Sequence, residues 1–165
     1  MKDQARHHYW PYRLLGIFDN FIAVLFLFSV MVNFGAVGFY PPLLLPLFIA
    51  LSILVYTNLS AVFARQVLQS RRPLRSKLKD WIKVNAYVTL VYAVFQFVVI
   101  SVALISGTLI EKVSDTFGLP AGTLRGMMIF LMLCSAGFVV HVIMTLRYLK
   151  QYRSFFQDSP TRTSE

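Results

Sequence analysis

Four long apolar runs, Leu14 to Gly38, Leu43 to Arg65, Ile82 to Leu109 and Leu124 to Arg147, leave few folds open to this chain. Each exceeds the roughly 20 residues that a helix needs to cross about 30 Å of hydrocarbon. The chain is therefore read as all-α: a polytopic integral membrane protein with four transmembrane helices in a bundle. That bundle is expected as one domain over residues 14–155, after an interfacial segment at 1–13 and before a polar, disordered tail at 156–165. A composition of 57% hydrophobic and 15% aromatic residues agrees, because a soluble domain of this length carries less.

The distribution of charge orients the spans. Of sixteen Lys and Arg residues, fourteen lie in or at the edges of three places, before the first run, between the second and third, and after the fourth; Lys112 and Arg125 are the exceptions. Cytoplasmic loops carry such an excess, so both termini and the loop at 66–81 are expected in the cytoplasm, with 110–123 as an outer loop. In a bacterium this would be the inner, cell membrane. The first run is too long for a signal-peptide core and is read as a retained anchor. The lone Cys134 lies within the fourth span, where packing is its expected role, and it excludes an intrachain disulfide.

The segment His7-His8-Tyr9-Trp10-Pro11-Tyr12 has the amphipathic rings of a headgroup-level anchor and a proline suited to a helix start. A metal role for its histidines is set aside because adjacent residues diverge on a helix and no third ligand is near. Pro41 and Pro42 open the second span, and Pro46 sits early enough to bend only its first turn. After Pro73, Leu74, Leu78, Trp81 and Ile82 recur at helical spacing among Arg75, Lys77, Lys79 and Lys83, as in a short interfacial amphipathic helix. With Arg71 and Arg72 these form a surface for anionic lipid headgroups, each charge contributing about 1 kcal/mol. Orientation already accounts for this charge run, so no nucleic-acid role is expected.

An ionisable side chain inside a span is costly and marks a functional candidate. Asp19 lies six residues past Arg13, and His141 six before Arg147, so both sit about 9 Å inward from the basic boundary. Asn58 and Thr89 fall in the same layer. Two roles fit: a proton-exchanging acid–histidine pair, or hydrogen bonds that lock the bundle, the second being the first expectation. On the third span Asn85, Thr89, Tyr92 and Gln96 recur at spacings of four, three and four, and that polar face should point into the bundle or toward a protein partner.

Redox enzymes of the di-iron or bis-haem type need more histidines within the spans than His141 supplies. The chain also lacks GxSxG, HExxH and a phosphate-cradling glycine loop, so it is read as non-enzymatic and without a cofactor. The leading expectation is an accessory, assembly or scaffolding subunit acting through helix contacts, with a protein partner or as a homo-oligomer. A small transporter or channel using Asp19, Asn58, Thr89, Gln96 and His141 is the second, and an anionic-lipid-binding membrane protein the third.

Overall fold

The structure is a computed structural model describing residues 9–38 and 40–157. Lys2, Arg6, His7, His8 and the tail from Asp158, including Arg162, lie outside the described residues. The described chain is all-α, and four of its helices are long and apolar enough to cross a membrane.

Helix α1 runs Trp10–Val37, with Pro11 in its first turn, where a missing N–H costs nothing. It stops at Gly38, whose φ of +76° suits glycine, while its N–H still reaches the Phe34 carbonyl. A 3₁₀ turn at Pro41–Leu43 leads into α2, Leu44–Phe63, and Pro46 falls within that helix's first turn. α2 then widens at Ala64–Gln69 into a π turn, with Ser70 N–H bonding to Arg65 O and Arg72 N–H to Gln66 O. After a two-residue strand, β1 (Leu74–Arg75), α3 covers Ser76–Ile105 and α4 covers Gly107–Phe117. α5 then runs Ala121–Gln151, and a 3₁₀ turn at Arg153–Phe155 leads to β2, Phe156–Gln157.

Four boundaries differ from the sequence reading. The expected separate amphipathic helix around Leu74–Lys83 is instead the strand β1 at Leu74–Arg75 followed by the opening of continuous α3 at Ser76, with no break between Lys83 and the span. The third span ends at Ile105, where Ser106 leaves helical geometry. The outer segment expected as a loop is mostly α4, which buries Ile110 completely and ends at the left-handed Gly118. Phe156 and Gln157, expected in the disordered tail, pair in parallel with Leu74 and Arg75. They are held because the Phe156 ring stacks on Phe63 at 6.0 Å and lies under the Lys79 ammonium.

The long helices run alternately up and down, α1 packing on α2 and α5, and α3 on the same two. Both ends of the described chain meet at one end, where the Tyr9 and Tyr152 hydroxyls hydrogen-bond. This is also the basic end. The hydrogen bond to Tyr9, then partial burial, pushes the Tyr152 hydroxyl up to about 12, so it stays neutral at physiological pH. Beneath it lies the largest apolar cluster, including Phe63, Val67, Ile82 and Leu149. Farther in, a thin layer of Ala23, Ile53, Ala93 and Phe138 joins the four helices. Large apolar side chains cover the exterior.

Candidate functional site: a buried acid–histidine pair

Between those two apolar clusters lies a polar one. On α1, Tyr12, Gly16, Asp19 and Ala23 recur at spacings of four, three and four and so share one face. On α5, Phe138, His141, Thr145 and Leu149 do the same, and α2 contributes Tyr56 and Ser60. The two faces bring Asp19 and His141 together: Nδ1 lies 2.8 Å from Asp19 Oδ2, and both side chains are 0% exposed. This is the one acid–base side-chain contact within 4.0 Å among the described residues.

The surroundings fix the imidazole. Its ring is met edge-on by Tyr12 at 4.8 Å and, tilted, by Tyr56 at 5.5 Å. Thr145, one turn along, donates its single hydroxyl proton to the His141 carbonyl at 2.9 Å. Its oxygen can then only accept, so the Tyr12 hydroxyl at 3.0 Å and the Tyr56 hydroxyl at 2.8 Å both donate to it. Three helices are thereby tied at one oxygen.

Two atoms of the pair remain without a hydrogen-bond partner: Asp19 Oδ1 and His141 Nε2. Oδ1 faces Gly137 of α5, where an added Cβ would sit 3.8 Å away. Nε2 lies behind Gly16, where a Cβ would sit 3.6 Å from it. With Nδ1–H given to the carboxylate, Nε2 carries either a lone pair or a proton, which is the choice a proton-exchanging group requires.

Beyond Gly16 a crevice of about 280 Å³ opens between α1 and α2, with His141 in its wall and Arg13, Asn20, Asn58 and Arg65 around it. Across the Ala23–Phe138 layer a smaller cavity of about 70 Å³ includes Tyr92, Gln96, Cys134 and Ser135 in its lining. The pair thus sits at the inner end of the larger space, one helical turn from the layer that separates it from the smaller. Among the described residues no three His, Cys, Asp or Glu side chains gather as a metal site.

The remaining sequence candidates scatter. Asn58 is exposed, bonds its own helix at Leu54 O and lines the crevice together with Asn20, which donates to Thr57 at 3.1 Å, but neither bonds to the pair. Thr89 is fully buried but donates to Asn85 O within α3, and Asn85 donates to Trp81 O. Tyr92 stacks on Phe26 at 5.7 Å, and Gln96 borders the smaller cavity. Arg71, Arg72, Arg75, Lys77 and Trp81 are exposed around the basic end, and Lys79 is half-buried against Phe156. Tyr12, Tyr56, Thr145 and Gly16 were not among the candidates, although Gly16 and Tyr12 fall three and seven residues from Asp19, and Thr145 four from His141.

Comparison with protein-family models, with curated proteins and with solved structures finds no match to this chain.

Gly16→Leu separates the crevice from the pair. It is expected to fill the space over Nε2 while leaving the Asp19–His141 bond in place. The downfield Nδ1–H proton resonance should survive and broadening of the His141 Cε1 resonance by a water-soluble paramagnetic agent should fall; unchanged broadening would show that the crevice does not serve the pair.

Proposed function

We propose that this protein is a small proton-linked membrane carrier for a polar solute, with Asp19 and His141 as its proton-holding site and the α1–α2 crevice as solute access from the cytoplasm. One observation carries the reading: the pair is wholly buried, yet Nε2 and Oδ1 are left without partners while the neighbouring Tyr12, Tyr56 and Thr145 hydroxyls are all satisfied. A pair kept only to lock helices gains nothing from stranded polar atoms, which cost about 1–3 kcal/mol each. A group that must accept a proton or a solute needs them.

The orientation rests on the positive-inside rule, which puts the basic end, both termini and the mouth of the crevice in the cytoplasm. The exposed Arg71, Arg72, Arg75 and Lys77 at that end suit acidic headgroups of the same leaflet. Closure toward the far side is supplied by the apolar layer, and two of its four fully buried members are alanines. Small residues let helices slide or rock at low cost, as alternating access demands. Contact between solute and Nε2 requires a small movement of α1 at Gly16. The apolar exterior suits lipid and a helical partner equally, so the accessory-subunit reading gains no support from it.

The test uses pyranine-loaded proteoliposomes challenged in turn with amino acids, hydroxy acids, sugars and inorganic phosphate. One class is expected to move protons with the wild-type protein and not with Asp19→Asn or His141→Gln, both still inserted and helical. Should no class move protons, or should these variants match the wild type, the carrier reading is wrong.

A further inference from the structure

The crevice has a definite charge character that the pair alone does not explain. Arg13 of α1 and Arg65 of the π turn that follows α2 both line it, so one space of about 280 Å³ is bordered by two arginines from facing elements. The described carboxylate nearest in function, Asp19, is taken by His141, and among the described residues neither arginine forms an ion pair. Asn20 and Asn58 add amides to the same wall.

Both arginines are placed by local structure. In the amide orientation that satisfies both groups, Gln69 Oε1 accepts from Arg13 Nη1 at 2.9 Å and Nε at 3.3 Å, which fixes one edge of the guanidinium and leaves the other open. Arg65 rides on the π turn Ala64–Gln69. Such a turn forfeits regular helix geometry and recurs at functional sites, because it re-aims side chains. Here the same turn carries Arg65 and the Gln69 that holds Arg13.

We infer that the crevice holds the anionic group, carboxylate or phosphate, of a small ligand between Arg13 and Arg65, with the buried Asp19–His141 pair beneath it. This rests on the reading of the crevice as the solute site and adds the substrate class. Planar guanidinium forks match carboxylate and phosphate oxygens two at a time, and a positive, partly walled space concentrates anions. The volume lies just under the span of about 300–1,000 Å³ that takes drug-sized ligands, so a metabolite-sized anion fits and a peptide does not. The rim also includes Ile17, 65% exposed on the outer face of α1, so the crevice opens sideways as well as inward. The anionic group can therefore belong to a free solute or to an acidic lipid headgroup.

Full-length protein in nanodiscs of phosphatidylcholine alone distinguishes these. Lactate, succinate and inorganic phosphate are titrated calorimetrically, with glycerol and methylammonium as controls, and phosphatidylglycerol retention is measured by native mass spectrometry. At least one anion, or phosphatidylglycerol, is expected to bind in a saturable way and to weaken about ten-fold or more in Arg13→Gln and in Arg65→Gln, the loss that follows removal of a charge-assisted hydrogen bond. Binding of a free anion assigns the solute, and stoichiometric retention of phosphatidylglycerol alone assigns the lipid. Arg65→Lys, which keeps the charge and loses the fork, should fall between the wild type and Arg65→Gln and so separates lost recognition from misfolding. No saturable binding of any anionic probe, equal binding of the controls, or binding indifferent to both arginines overturns the inference. If a neutral or cationic solute drives Asp19-dependent proton flux, the anion inference falls and the carrier reading stands. If anions bind at the arginines but no solute drives such flux, the carrier reading falls alone.

Discussion

His141→Leu is expected to destabilise the bundle by about 3–5 kcal/mol, whereas His141→Leu combined with Asp19→Val is expected to return close to wild-type stability. The single change strands the Asp19 carboxyl at 0% exposure with neither oxygen bonded, since Oδ1 already lacks a partner and Oδ2 loses its only one. The double change removes both polar groups and refills the space with apolar side chains of similar volume, and such replacements of buried pairs are often neutral or stabilising. Reversible unfolding in mixed micelles, arranged as a double-mutant cycle, reads the coupling directly. The same proteins in proteoliposomes give the second half of the answer. A double variant that is stable but carries no proton-linked flux places the value of the pair in function. A double variant as unstable as the two singles summed would show that Asp19 and His141 are not energetically coupled and would remove the main support for the carrier.

Depth was legible in the sequence and rotation was not. A helix advances about 1.5 Å per residue, so counting inward from Arg13 and from Arg147 placed Asp19 and His141 at one level. The same counting placed Asn58 and Thr89 there, yet Asn58 is turned outward onto its own Leu54 carbonyl and Thr89 is spent inside α3. Only the facing helices decide that, through contacts that no local pattern encodes. Tyr12 illustrates a further obstacle: next to Trp10 and Pro11 it reads as an interfacial anchor, but in the first turn of α1 it is only 1% exposed. The π turn at Ala64–Gln69 has no sequence signature at all, because ordinary helix-forming residues occupy it. α4 was hidden by its Gly, Ser and Thr content, although Leu109, Ile110 and Val113 mark an apolar face.

Thr145→Val should cost about 2–4 kcal/mol, well above what is usual for a single interhelical hydrogen bond in a membrane protein. Valine reproduces the shape of threonine, so packing is kept and only the oxygen is lost. That oxygen is the shared acceptor of Tyr12 from α1 and Tyr56 from α2, both fully or almost fully buried. Its removal orphans the Tyr56 O–H outright and leaves the Tyr12 O–H with only the Ser60 hydroxyl as an acceptor. The His141 carbonyl loses a supplementary donor but keeps its place in the α5 ladder, so it adds little. Thr145→Ser retains the oxygen and should lie near the wild type. Adding Tyr12→Phe and Tyr56→Phe to Thr145→Val should recover most of the loss, since the orphaned groups are then gone. Mixed-micelle unfolding of these four proteins checks the argument, and a Thr145→Val variant within about 0.5 kcal/mol of the wild type would refute the shared-acceptor geometry. The consequence reaches the pair itself, because the two tyrosine rings that Thr145 holds are the ones packed against the His141 imidazole. Thr145→Val should therefore also broaden the Nδ1–H resonance of His141, an effect that a loss of stability confined to the apolar core would not produce.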